Sequence, residues 1–317
     1  LVLFSLVAVL VVAGGAERVR FQTDWYPQAE HGGYYQAQLR GWYEQAGLDV
    51  VIQPGGLGAR PYIRTGTGEA DIGIGRSDDI LMLVANARMP LVIVAAEMQI
   101  DPQAVLVHAD SPVRTLQDLD GRAVMVHPGA AWVPYLKRRY GIEFSMIPLN
   151  FGLGTFFADR SFIQQCLATN EPFIAAQRGV PVRVLLLSEA GYRPYRVIYA
   201  NASFLRRHPE AVRAFVAASL RGWEEFLEGD NVDTLTRIGA LSPQLSPEHL
   251  EWTVGELRRN RFVTGDPERG DRLGRITRKR MEEQIEQLSE LGLLRHPIVL
   301  EEAVRLDLLP PGVGEEP

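Results

Sequence analysis

The chain has 317 residues, 46% of them apolar and 23% charged, with a net charge of −6 and no basic stripe. That composition excludes a disordered chain, and the charge balance argues against nucleic acid as partner. The length suffices for two lobes of ordinary domain size, and a single cysteine, Cys166, excludes an internal disulfide.

Leu1 to Ala16 is almost wholly apolar and ends in Ala13-Gly14-Gly15-Ala16. This matches the apolar core and small-residue cleavage site of a secretory signal peptide, and it is short for a membrane span. A retained anchor is the alternative. No cysteine stands at the junction for lipid attachment, and a periplasm-like compartment is expected.

Val19 to Phe21 is a short β run that breaks into Asp24-Trp25-Tyr26-Pro27 and then His31-Gly32-Gly33-Tyr34-Tyr35. A helix pattern follows over 34–46, closed by Gly47. The stretch reads as a strand ending in a loop that presents aromatics and a histidine beside a helix N-terminus. Helix N–H groups favour polar or anionic ligand atoms, and flat rings favour a flat ligand. A Trp/Tyr cluster plugging a core edge is the competing interpretation. Strand Val50–Ile52, turn 54–56, helix 59–66, strand 71–75, helix 79–87 and strand 91–96 come next. Strands alternating with helices imply a largely parallel α/β sheet.

Strand Gln103–His108 ends at Ser111-Pro112, where a second α/β unit begins. It comprises strand Ala123–Val126, helix Trp132–Tyr140, strand 144–148, a loop at Phe151–Gly154, an amphipathic turn of helix at 162–167, helix 173–178 and strand 182–187. Strand Arg196–Ala200 leads out. From Pro209 the pattern is helical, over 209–227, 247–260 and 271–291, the last a mixed Arg/Glu surface expected to be solvated. The end after Leu309 should fray. The expected architecture is α/β with two lobes, 17–108 plus 199–309 and 109–198, joined by crossovers near 107–111 and 197–201 that make a hinged central cleft. Strand-end loops at 24–35, 76–79, 97–99, 127–132, 151–154 and 170–171 can all face it.

No pattern demands catalysis. His31 and Asp24 could pair as base and orienter, but no nucleophile elbow accompanies them. The histidines lack metal-ligand spacing. The glycines at 55–58 and 73–75 lack the spacing of a phosphate loop. His127-Pro128-Gly129 before a helix either aims N–H groups at an anion or is an ordinary turn. Glu171, in Thr169-Asn170-Glu171-Pro172, could accept two N–H bonds from an aminated ring; the alternative is a charge that favours its own helix dipole.

Several motifs together resemble one family: Asp24-Trp25-Tyr26-Pro27 with His31-Gly32-Gly33-Tyr34, Gly41-Trp42-Tyr43 through Val50, Gly68 to Gly73, Gln164-Gln165 with Thr169 to Pro172, and the 196–200 strand before Asn201 to Leu205. They are similar to the periplasmic solute-binding proteins of nitrate, sulfonate and thiamine-pyrimidine ABC importers. The resemblance implies a two-lobed, hinged type II binding-protein fold, a small-molecule ligand, a membrane permease as partner, a monomer, and no cofactor or metal. It also implies that Trp25 stacks on a pyrimidine and that Glu171 bonds its amino group. Asp24, His31, Tyr34, Ser77 and Phe151 join them as ligand candidates by their strand-end positions. Sulfonate, nitrate or a riboflavin-like ring are alternative ligands. The same superfamily holds a thiamine-pyrimidine synthase, but where that enzyme has a Lys and a His this chain has Gly75 and Asp79, and it lacks the cysteine-rich run. A binding protein is expected, not an enzyme.

Overall fold

The computed structural model describes residues 15–310 and Val313. The segment read as a signal peptide and the fraying tail lie almost wholly outside the described residues. Ten strands are described: β1 (Glu17–Gln22), β2 (Leu48–Gln53), β3 (Ile72–Arg76), β4 (Leu91–Met98), β5 (Gln103–His108), β6 (Ala123–Val126), β7 (Ser145–Pro148), β8 (Ile163–Leu167), β9 (Val182–Leu186) and β10 (Arg196–Asn201). They form two five-stranded sheets, ordered β2-β1-β3-β10-β4 and β7-β6-β8-β5-β9. This is the two-lobed α/β architecture expected.

Each sheet is mixed rather than largely parallel. β10 runs antiparallel to β3 and β4, and β5 runs antiparallel to β8 and β9. These are the strands on which the chain changes sheet, so they arrive against the direction set by the crossover helices. The crossovers consequently differ from expectation. β5 belongs to the second sheet, so the first crossing is at 99–102, not 107–111. β10 pairs inside the first sheet from Arg196 onward, so the second is at 187–195, not 197–201. Nothing local in Gln99-Ile100-Asp101-Pro102 marks a change of sheet; only the pairing partners do.

The helices are α1 (Gly32–Leu39), α2 (Trp42–Gln45), α3 (Pro61–Gly66), α4 (Ser77–Ala87), α5 (Trp132–Tyr140), α6 (Gly154–Ala158), α7 (Glu171–Gln177), α8 (Ala202–Arg207), α9 (Pro209–Glu228), α10 (Val232–Leu241), α11 (Pro247–Arg259), α12 (Arg278–Glu290) and α13 (Leu300–Ala303). The helix expected over 34–46 is broken at Gly41, which is left-handed at φ 68°. The expected helical turn at 162–167 is instead β8, between β6 and β5. Its buried Gln165 accepts from His127 N at 3.0 Å and Trp132 Nε1 at 3.3 Å, and donates to Gln103 Oε1 at 3.0 Å. Glutamine side chains satisfied this way are tolerated in a central strand, and two of them in a row hide its β pattern.

Along α9, Val212, Phe215, Val216, Ser219, Trp223 and Phe226 are buried at helical spacing and pack on α1. The two helices touch through glycine: a Cβ on Gly222 would lie 2.0 Å from the Gly33 carbonyl oxygen. The segment before and into α12 grips both crossovers. Arg280 Nη2 donates to the Gln99 carbonyl at 2.6 Å and the Arg193 carbonyl at 2.8 Å, with its guanidinium 3.6 Å from the Tyr195 ring centre. The α12 surface is therefore not wholly solvated.

Candidate functional site

The loop leaving β1 carries the site. Thr23 Oγ1 donates to the Trp25 carbonyl at 2.9 Å, and Gly55 N donates to that carbonyl at 3.0 Å and to Thr23 Oγ1 at 3.1 Å. Residue 55 must be glycine for this contact, because a Cβ would sit 2.6 Å from the Thr23 carbonyl oxygen and from the Asp24 carbonyl carbon. So clasped, the half-buried Trp25 stacks on Phe151, with ring centres 5.2 Å apart and planes at 29°. Trp25 comes from the first lobe and Phe151 from the second, so the pair spans the cleft. Phe151 is exposed and held in the left-handed region at φ 60°, a conformation costly for a side chain with a Cβ. Tyr26 meets the edge of Trp25 at 5.5 Å, and His127 meets Phe151 at 6.4 Å.

Beneath Trp25 lies a buried charge cluster. Asp24 Oδ1 bonds His31 Nε2 at 2.9 Å, and Oδ2 accepts from Arg196 Nη2. Arg196 Nε reaches Glu97 Oε2 at 3.3 Å. Burial pushes the Asp24 carboxyl up, but the Arg196 charge and the His31 bond outweigh it and hold Asp24 well below the usual carboxylate range. Glu97 goes the other way: burial, with the Asp24 charge adding to it, overcomes Arg196 and lifts Glu97 to about 8.

Glu171 opens α7, and its carboxylate accepts from Leu167 N at 2.8 Å within its own lobe. Burial raises it to about 6 against the hydrogen bonds that oppose it. Its neighbour Thr169 crosses the cleft, donating from Oγ1 to Glu30 Oε1 at 2.6 Å, and its carbonyl accepts from Thr253 Oγ1 at 2.9 Å. The 169–171 segment thus docks on the loop that carries Trp25.

Of the residues singled out in the sequence, the structure brings together Asp24, Trp25, His31 and Phe151. Asp24 is bonded to His31 and to Arg196, next to the rings. Tyr34 is fully buried, its ring packed among Phe21, Phe215 and Trp223, and so belongs to the core. Ser77 is also fully buried. It donates to Gln284 Oε1 at 2.7 Å and accepts from Tyr195 N at 2.9 Å, holding α4 to α12 and to the second crossover. Arg196, Glu97, Glu30 and Thr169, which the structure places around the Trp25 loop, are not among the ligand candidates named from sequence, although the 97–99 loop, Thr169 and the 196–200 strand are noted there. An arginine opening a strand of otherwise apolar pattern was the one available signal.

A family model described as NMT1/THI5 like matches residues 28–230. The chain is 24% identical over 224 residues to the riboflavin-binding protein RibY of Chloroflexus aurantiacus, a match covering 67% of this chain and 63% of that protein's length. Among solved structures, the aliphatic sulphonate binding protein SsuA of Escherichia coli superposes with a TM-score of 0.69 at 14% identity, over 92% of this chain and 98% of that one. The nitrate-binding protein NrtA of Synechocystis PCC 6803 gives 0.64 at 13%, over 92% and 87%. The desulfurization enzyme DSZB gives 0.53 at 14%, over 94% and 97%. These likenesses show the fold, and the family match spans well over half of the chain. The chain belongs to the NMT1/THI5-like family and carries the two-lobed periplasmic-binding-protein fold of the sulfonate and nitrate receptors.

Proposed function

We propose that this protein is the extracytoplasmic solute-binding component of an ABC importer, and that it captures a flat heteroaromatic solute between Trp25 and Phe151. The observation that carries this is the pair of rings facing each other across the cleft, one from each lobe. A ring held between them needs planes about 7 Å apart, twice an ordinary carbon contact of about 3.5 Å. The two rings already stack on each other, so a solute ring enters only when the lobes part by about one further carbon contact, about 3.5 Å, and the hinge of two crossovers then closes on the solute by population shift. The closed form would dock on a membrane permease. Tyr26 and His127 stand edge-on to Trp25 and Phe151 and so line the sides of the ring pair with further aromatic surface, which favours a fused, flavin-type ring. The second reading is an aminopyrimidine such as a thiamine precursor, favoured by the Glu171 carboxylate beside the Trp25 loop. A binder rather than an enzyme is supported by the two positions compared with the synthase. A Cβ on Gly75 would lie 2.4 Å from the Tyr62 ring, and Asp79 is bonded to Tyr62 and Arg76 at 2.9 Å each.

The test is a thermal-shift panel of riboflavin, an aminopyrimidine thiamine precursor, taurine and nitrate. A true ligand at about a hundred times its Kd adds about 2.7 kcal/mol. Riboflavin should stabilise the protein and lose fluorescence on stacking, and Trp25→Ala or Phe151→Ala should abolish both. A shift by the pyrimidine alone, removed by Glu171→Gln, selects the second reading. A shift by taurine or nitrate alone overturns ring capture.

A further inference from the structure

We propose that Arg196 is the positioning residue of the binding site: its guanidinium fixes the loop that presents Trp25, without itself touching the solute. The proposal rests on Trp25 being the ring that meets the ligand. Arg196 opens β10 directly after the second crossover, and Glu97 is the next-to-last residue of β4, just before the first. One cation thus lies between Glu97 and Asp24, at the root of both hinge segments. Asp24 passes the constraint on. Its second oxygen is held by His31, so the 24–31 loop is tied across its own base while the Trp25 carbonyl is clasped by Thr23 and Gly55.

Arg196 is 9% exposed at its side chain and Glu97 0%. Burying such a pair is costly, and an apolar pair of the same volume would hold the strands at least as well. The arrangement is thus better suited to setting geometry than to adding stability. The fork of a guanidinium reaches two carboxyl groups along fixed directions, which an ammonium cannot do. Lobe closure then brings Phe151 onto a Trp25 face already oriented, so less ordering remains for the binding step.

The experiment uses the full chain labelled with 5-fluorotryptophan, the Trp25 line being identified by its loss in Trp25→Phe. In the free protein, Arg196→Gln and Asp24→Asn should each shift or broaden that line while the other four tryptophan lines stay in place. Riboflavin affinity should fall at least tenfold in each, mainly through faster dissociation, and Arg196→Lys should recover only part of it. The double variant should be no weaker than the worse single one, because both break one linkage. If Arg196→Gln fails to fold, Asp24→Asn still tests the linkage, since it leaves the Arg196–Glu97 pair in place. A folded Asp24→Asn protein with an unmoved Trp25 line overturns the proposal. Failure of the wild type to bind riboflavin counts against ring capture of a flavin instead, and the free-protein line still decides the role of Arg196.

Discussion

Glu97 is a carboxyl whose surroundings take it far from its ordinary range. It lies fully buried at the end of β4, faced by Arg196, Asp24 and Tyr34, with burial lifting it from 4.5 to about 8. A carboxyl raised in the folded state binds its proton more tightly there than in the unfolded chain. Its contribution to stability is therefore complete below about pH 4.5 and is lost as pH rises through 8. Asp78 and Glu171, each raised to about 6 by burial, act in the same direction but finish earlier. Between pH 7 and 9 the melting temperature should fall in the wild type and fall much less in Glu97→Gln. Parallel curves for the two proteins would show that Glu97 does not hold that proton. Trp25 and Phe151 could be picked out from sequence because aromatics in strand-end loops are conspicuous. Arg196 left only the trace of a charge opening an apolar strand, and Glu97 none, because a contact between two buried strand ends has no periodic pattern in either strand.

Among the elements, the long helix α9 was readable almost to the residue, since a 20-residue amphipathic run has only one stable partner arrangement, face against core. What it packs on was not. Gly222 looks like a weak point in a helix until its contact is seen: the Gly33 carbonyl would meet an added Cβ at 2.0 Å. Gly222→Ala improves helix propensity by about 1 kcal/mol yet forces α1 and α9 apart, an overpacking cost of about 1–3 kcal/mol. We expect a net loss of several degrees in melting temperature, measured by circular dichroism; a stabilised variant would mean the helices separate freely. The strand β8 shows the opposite failure. Five residues with two central glutamines carry too little period to identify, and pairing with β5 and β6 decides the matter, with Gln165 accepting from His127 and Trp132 and donating to Gln103.

For the whole molecule, the question is what holds the two lobes at one angle. Arg280 binds backbone carbonyls of both crossovers, and Gln99 Nε2 donates to the carbonyls of Arg272 at 2.7 Å and Arg275 at 2.8 Å. Arg280→Ala strips two carbonyls of their donor, at about 1–3 kcal/mol for each buried group left unmet. With spin labels at the exposed positions Leu39 and Met146, one on each lobe, the variant should give a broader interlobe distance distribution than the wild type. An unchanged distribution would mean that the crossovers set the angle by themselves. The native Cys166 is buried and stays unlabelled.

By itself the sequence determined the class of fold, most of its elements and the loop around Trp25, because hydrophobic period, turn chemistry and residue type are local quantities. Tertiary structure alone decided where the chain changes sheet, which strands run antiparallel, that Tyr34 and Ser77 are interior, and that Trp25 meets Phe151. Each of those depends on which distant groups share a hydrogen bond or a buried charge, and such pairings across more than a hundred residues have no signature in either partner's neighbourhood.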